Sequence, residues 1–415
     1  MRFTPTRARR HATLAAVVVW AGAGVITFSG TGYRSIFGPL KGSDFVHFYT
    51  LGHVDARTAP TLLYEPEALH RLQAQLVPES DSEHYLTVYP PHTSILFRPF
   101  AGLEYGTAAL LWAALVATAY AGCIWLAWRP FRTGLRDGRL LVAAAAAFPP
   151  FWYLVLHGQT TIVPLLGFCL GWLALEHRRP FWAGFAFGLL LLKPQFALVL
   201  VALVLVCREW AMLAGAAASV SVHVAASAIL LGRSALWDYA AVVMRFPQLR
   251  DMLEPRPEHM HSISTMTNRL PADLGIVAWA LLSAVVIGRT IKVWRSSAPL
   301  TMRTGILVLA STLVNPHVSV YDATVLAPSF IWFAGWLFGE SRVSSLTRSW
   351  FAAIVYALYV TLLTPTAAFL PVQASVILLA ALFVLMDRAL AASLGATRGS
   401  RLVPVDATLT YSDAG

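Results

Sequence analysis

FWAGFAFGLLLLKPQFALVLVALVLV, residues 181–206, decides the architecture of this chain. The run is apolar throughout except for Lys193-Pro194-Gln195 near its middle. Pro194 has no backbone N–H to donate, and its ring clashes with the preceding turn, so a helix breaks there. Each half then holds about 12 residues, short of the roughly 20 that cross a hydrocarbon core. The run reads as a re-entrant or broken helix pair that turns at Lys193. A lysine in mid-membrane costs about 2.5–3.5 kcal/mol on insertion scales. A hairpin tip that faces a polar cavity removes most of that cost. The natural partner of such a lysine is an anion, a lipid phosphate for example. The alternative is a lysine that snorkels to the interface.

The rest of the chain has the same character. Its 415 residues are 57% hydrophobic and 13% charged, against about 25% charged in an ordinary soluble domain. Only a bilayer absorbs that much apolar sequence, and a sizeable soluble enzyme domain is excluded. Apolar spans lie at 12–29, 105–127, 140–156, 160–176, 210–231, 273–291, 304–314, 319–338, 349–364 and 371–387. With the broken pair they predict an all-α polytopic membrane protein of about 10–12 transmembrane or re-entrant helices. These form a single membrane domain over 1–390, followed by a polar, disordered cytoplasmic tail over 391–415. Two stretches, 30–104 and 232–272, are polar loops. Arg2, Arg7, Arg9 and Arg10 before the first span resemble a signal peptide, but the many spans that follow favour an uncleaved helix.

The formal net charge of +10 raises nucleic acid as a partner. The placement of the charges excludes it, because most lie in short loops where they set membrane orientation. With a turn at Lys193, 20 of the 31 Lys and Arg share the side of the N-terminal arginines, the cytoplasm. Both polar loops are then extracytoplasmic, and the chain reads as an inner-membrane protein. Cys123, Cys169 and Cys207 lack the spacing of a zinc or redox pair. No cluster of acids resembles a metal cage, so neither metal nor cofactor is expected.

Several polar residues stand where lipid or interface is expected. Asp44, just past the first span and followed by Phe45, His47 and Tyr49, sits in a partly dry place that suits a proton acceptor. The competing reading is a helix cap made by Ser43 or Asp44. Tyr89-Pro90-Pro91-His92 is either a rigid turn into the second span or part of a site. His157-Gly158-Gln159-Thr160-Thr161 is a tight outer turn whose donors suit a sugar or phosphate. Asn315-Pro316-His317 and Tyr321-Asp322 mark another outer turn, with Asp322 free for a site or paired locally.

Taken in order, these elements resemble glycosyltransferase family 87, the polyprenol-phosphate-mannose-dependent mannosyltransferase-like membrane proteins of the GT-C fold. The resemblance rests on Gly42-Ser43-Asp44-Phe45 with Tyr49, Leu63-Tyr64, Tyr89-Pro90-Pro91 with Pro99 and Trp112, and Gly158-Gln159. It continues through Ala183-Gly184, Gly188 and Lys193-Pro194-Gln195 to Asn315-Pro316-His317 and Tyr321-Asp322. The chain departs from the family pattern at Thr160-Thr161 and at Thr267-Asn268-Arg269. The resemblance implies transfer of a hexose, mannose above all, from a polyprenyl-phosphate donor to a glycan or glycolipid acceptor, with inversion. It makes Asp44 the general base. Lys193, Gln159, His157 and Gln195 become the donor and phosphate ligands. His47, Tyr49, Tyr89, His92, His317, Tyr321 and Asp322 become substrate contacts. The competing class is a transporter or flippase of a lipid-linked substrate. Such a protein should show inverted repeats and midplane charges, whereas the polar mass here lies on one face.

Overall fold

The computed structural model describes residues 4–54, 60–246, 248–249, 259–363, 366–370 and 372–400. It is 78% helix, with no strand among the described residues. The first helix, α1 (Pro5–Phe28), is capped by Thr4, whose side chain accepts from the Arg7 amide. The first polar loop carries α2 (Ser43–His53), α3 (Pro66–Leu76) and α4 (His92–Phe97). Then come α5 (Tyr105–Trp128), α6 (Gly138–Ala147), α7 (Pro149–His157), α8 (Ile162–Glu176) and α9 (Pro180–Phe187). After a break at Lys193 follow α10 (Leu198–Cys207), α11 (Trp210–Leu230), α12 (Arg233–Met244) and the short α13 (Ile263–Thr267). The remaining helices are α14 (Ala272–Trp294), α15 (Leu300–Val314), α16 (Ala327–Gly339), α17 (Ser345–Thr361) and α18 (Ala374–Ser400).

The multi-pass all-helical fold expected from hydropathy is present, with fewer long helices than the apolar runs suggested. Five helices, α1, α5, α11, α14 and α18, are long and apolar enough to cross a membrane, or six if α6 and α7 count as one bent span. The predicted span at 140–156 bends by 51° where Phe148 precedes Pro149, because the residue before a proline is pushed out of helical geometry. The predicted span at 319–338 begins as a 3₁₀ turn over Val320–Leu326 before Pro328 opens α16. Helix α18 runs on to Ser400, into the predicted tail, and the tail residues 401–415 lie outside the described residues.

Short helices are tolerated here because protein, not lipid, surrounds them. Twelve residues of α15 are buried, and α15 touches α8, α10, α14, α16 and α18. A helix apolar on all sides belongs in such a centre. By contrast α1 lies at the periphery, packed on α6 and α7, with Trp20 Nε1 donating to the Ala146 carbonyl at 2.9 Å.

The chain reverses at Lys193. Gly184 of α9 lies against Met212 of α11, and Gly188 lies against Ser219, with no room for a Cβ at either glycine. Helices α9 and α11 therefore run in the same direction. Arg208, in the left-handed region at φ 58°, turns α10 into α11, so α10 runs against both. The 3₁₀ segments Gly188–Leu192 and Pro194–Ala197 flank the reversal. Its tip stands beside the turn that opens α8, while the far end of α10 meets α14, where Arg295 donates to the Val206 carbonyl.

Candidate active site

The site begins with a left-handed glycine. Gly42, at φ 67°, opens α2 and is its N-cap residue, with no side-chain capping bond. Ser43 and Asp44 thus occupy the first turn and leave the cap to the backbone, so the structure offers no support for the capping reading. A carboxylate in a first turn is favoured by the helix dipole. Tyr105 fixes the approach to α2, its hydroxyl donating to the carbonyls of Lys41 at 2.7 Å and Gly42 at 3.0 Å. Tyr85 donates to the Ser43 carbonyl from the other side.

The turn between α7 and α8 is pressed onto this helix. Gly158 has φ 69°, and a Cβ there would stand 2.5 Å from the Cβ of Phe45. Glycine alone fits both the conformation and the gap. Trp112 Nε1 holds the turn through the Gly158 carbonyl at 3.0 Å, and His157 Nδ1 meets Ser43 Oγ at 2.8 Å. The consequence is that Gln159 Nε2 donates to Asp44 Oδ2 at 2.8 Å. Asp44 is only partly buried, and among the described residues its Oδ1 has no hydrogen-bond partner.

Behind Gln159 lies a buried charge pair. Gln159 Oε1 accepts from Lys193 Nζ at 3.3 Å, Tyr89 hydroxyl at 3.3 Å and the Thr160 amide at 3.2 Å. Lys193, 4% exposed, also donates to Thr161 Oγ1 at 3.0 Å and to Asp322 Oδ1 at 2.7 Å. The hydroxyl of Thr161 donates in turn to Asp322 Oδ1 at 2.6 Å. Asp322 Oδ2 accepts from the Ser319 amide at 3.1 Å, and the ammonium sits 5.0 Å from the Tyr321 ring centroid. An ammonium has three protons, and the three oxygen acceptors take all of them. All three protons of Lys193 are thus engaged by protein oxygens in this structure. Its hydrogen-bonded link to Asp44 runs through the amide of Gln159.

Asp44, His157, Gln159, Lys193, Tyr89, Tyr321 and Asp322 thus converge, from segments far apart in the chain. Other predicted site residues do not join them. Tyr49 is scaffold, its hydroxyl donating to the Leu103 carbonyl at 2.7 Å and its ring packed on Phe45, His53 and Tyr105. His92 packs against His223 of α11, with ring centroids 4.7 Å apart and the planes tilted by 41°. Burial, then the neighbouring His223, lowers its pKa to about 3 and keeps it neutral. Gln195 is partly buried beyond the reversal and makes no side-chain hydrogen bond with another described residue. His317 stands in the loop before Asp322, where its amide donates to Asn315 Oδ1 at 2.9 Å. His47 is enclosed beside Tyr85 and Tyr89, and burial lowers its pKa to about 4. It lines the wall behind Asp44 as a neutral ring. Sequence reasoning placed Thr161 in the polar turn without a role of its own, and it passed over Tyr85 and Ser319. Thr161 had a signal, its place in the polar turn after Gln159; Tyr85 and Ser319 had none.

Fold and site together define a multi-pass membrane protein that holds a half-exposed carboxylate over a buried, polar-bonded charge pair. The chain belongs to glycosyltransferase family 87, whose family model matches residues 87–316. It is a membrane glycosyltransferase, which decides against the transporter class. The matched stretch contains Tyr89, His157, Gln159 and Lys193, and stops short of Asp44 on one side and Asp322 on the other. No curated protein and no solved structure matches the chain.

Proposed function

We propose that the enzyme moves a hexose, mannose on the family resemblance, from a polyprenyl phosphate to a hydroxyl of a glycan or glycolipid, with inversion. The membrane is a bacterial inner membrane and the site faces away from the cytoplasm. Asp44 takes the proton of the acceptor hydroxyl on its unpaired Oδ1. The acceptor oxygen then bonds to the anomeric carbon as the bond from that carbon to the phosphate oxygen breaks. Polyprenyl phosphate leaves with the bonding pair and needs no acid. Gln159 holds the other carboxylate oxygen, so the free one keeps a single orientation. His157, partly exposed and anchored to Ser43, offers its outer ring nitrogen to the donor phosphate. Lys193 supports the developing charge electrostatically through Gln159. The observation that carries this reading is the unbroken hydrogen-bond chain Asp44–Gln159–Lys193–Asp322 in a family 87 chain.

The donor class has a direct test. Purified enzyme in proteoliposomes is expected to consume radiolabelled polyprenyl-phosphate mannose and to leave a nucleotide-linked mannose untouched. Consumption of the nucleotide sugar alone overturns the lipid donor. Orientation is tested separately, with Ala240→Cys of α12 in a chain whose three native cysteines are replaced. An impermeant maleimide is expected to label it in intact spheroplasts. Labelling only after permeabilisation puts the site on the cytoplasmic face.

A further inference from the structure

Two apolar grooves run along the bundle away from Asp44. Tyr105, the first residue of α5, touches the turn before Asp44. Trp128 closes the same 24-residue helix, so it stands about 36 Å away at 1.5 Å per residue. From that far end toward the middle of the bundle, α1, the second half of α5, α6 and Phe151 of α7 line an open groove of about 920 Å³. Its body is apolar and aromatic, with Trp20, Tyr120 and Phe151 on the walls, and Trp128 and Arg139 line it where α5 ends and α6 begins.

Arg139 is exposed and makes no hydrogen bond or ion pair with another described residue. Of the neighbouring arginines, three are engaged and Arg132, outside the groove lining, is not among the described residues. Arg9 pairs with Asp137 at 3.3 Å, Arg129 pairs with Glu176, and Arg136 donates to the Thr133 carbonyl at 2.9 Å. The arginine that lines the groove is thus left with its donors free. A second apolar cavity of about 610 Å³ between α8 and α9 repeats the plan, with Arg179 and Trp182 in its lining. It opens at the same end, since Glu176 of α8 reaches Arg129.

We propose that the groove between α1, α5 and α6 binds one anionic phospholipid, its phosphate on Arg139 and its acyl chains along Trp20, Tyr120 and Phe151. The apolar wall matches acyl chains and offers little to a polar ligand. A guanidinium with free donors forks onto phosphate, and basic pockets between membrane helices select anionic headgroups. Trp128 lies at the level where tryptophans mark a membrane interface. A zwitterionic lipid carries the same phosphate with a cation beside it, which Arg139 disfavours. The site is independent of the transfer reaction.

The test is native mass spectrometry of the delipidated full-length protein, titrated with phosphatidylglycerol or phosphatidylcholine of identical chains. Phosphatidylglycerol is expected to bind about fivefold tighter, the worth of one basic side chain near an anionic headgroup. Arg139→Gln, an exposed change that leaves packing intact, is expected to erase that preference at one bound lipid, and Arg179→Gln to keep it. Ala121→Phe, which fills the groove, is expected to lower binding of both lipids. Equal affinity of the two lipids for the unmodified protein, or a preference that survives Arg139→Gln and vanishes in Arg179→Gln, overturns the proposal. Displacement of phosphatidylglycerol by polyprenyl phosphate overturns it too, since the groove then belongs to the sugar donor.

Discussion

Asp44→Asn is expected to cost about 10²–10⁴-fold in transfer rate, the usual price of losing a general base, while the protein folds and inserts normally. The substitution is nearly isosteric. Its carbonyl oxygen still accepts from Gln159 Nε2, which now sits 2.8 Å from Asp44 Oδ2, so the turn at Gly158 stays docked on α2. What disappears is the lone pair able to take a proton from the acceptor hydroxyl. The helix itself loses little, because Gly42 and not Asp44 occupies the cap, and a first-turn charge is worth about 0.3–1 kcal/mol. A stability change of that size is readable as a small shift in thermal midpoint, well separated from a hundredfold loss of rate. Asp44→Glu keeps the proton acceptor but displaces it by about one methylene, and a trace of activity is expected. Near-normal turnover by Asp44→Asn would remove Asp44 from catalysis and leave it as an N-terminal charge on α2.

How much of this was legible in the sequence depends on how local each signal is. The helix break at Lys193-Pro194 and the glycine turn at Gly158 are local signals, and both appear where the sequence placed them. Asp44 and Gln159 could also be singled out, since an acid and an amide at membrane exits need a reason, and the two side chains meet. What could not be read is the partner of Lys193. An isolated lysine in an apolar run implies an anion, and a phosphate is one solution. Asp322, 129 residues away, is another, and nothing in the neighbourhood of either residue chooses between them. Helix length failed for a related reason. Hydropathy reports that a segment is apolar but not whether lipid or protein surrounds it, so buried α15 and peripheral α1 look alike in sequence. His92 and Tyr49 were drawn into the site by type and position, yet their side chains face His223 and Leu103, contacts that only the packing of the first loop decides.

The buried pair makes the second large effect a matter of stability as well as rate. Lys193→Ala leaves Asp322, 1% exposed, without its cation and, among the described residues, with only Thr161 and the Ser319 amide as donors. Breaking a buried pair from one side typically destabilises by about 3–5 kcal/mol, and the expected result is a large fall in thermal midpoint and in folded yield. The double variant Lys193→Met with Asp322→Leu removes both charges and fills the space, so most of that stability should return, because a buried pair is worth little against apolar side chains of similar size. Activity should not return with it. Gln159 would lose one of the three donors on its carbonyl, keeping the Tyr89 hydroxyl and the Thr160 amide, and the amide facing Asp44 would be held less firmly. A positioning role of this kind lowers kcat with the donor KM nearly unchanged. Direct phosphate binding by Lys193 would do the reverse, raising the donor KM, and Asp322→Asn would then lower it by releasing the ammonium. A Lys193→Ala protein with the native thermal midpoint would dispose of the structural pair. Full recovery of turnover in the double variant would show that neither charge serves the reaction.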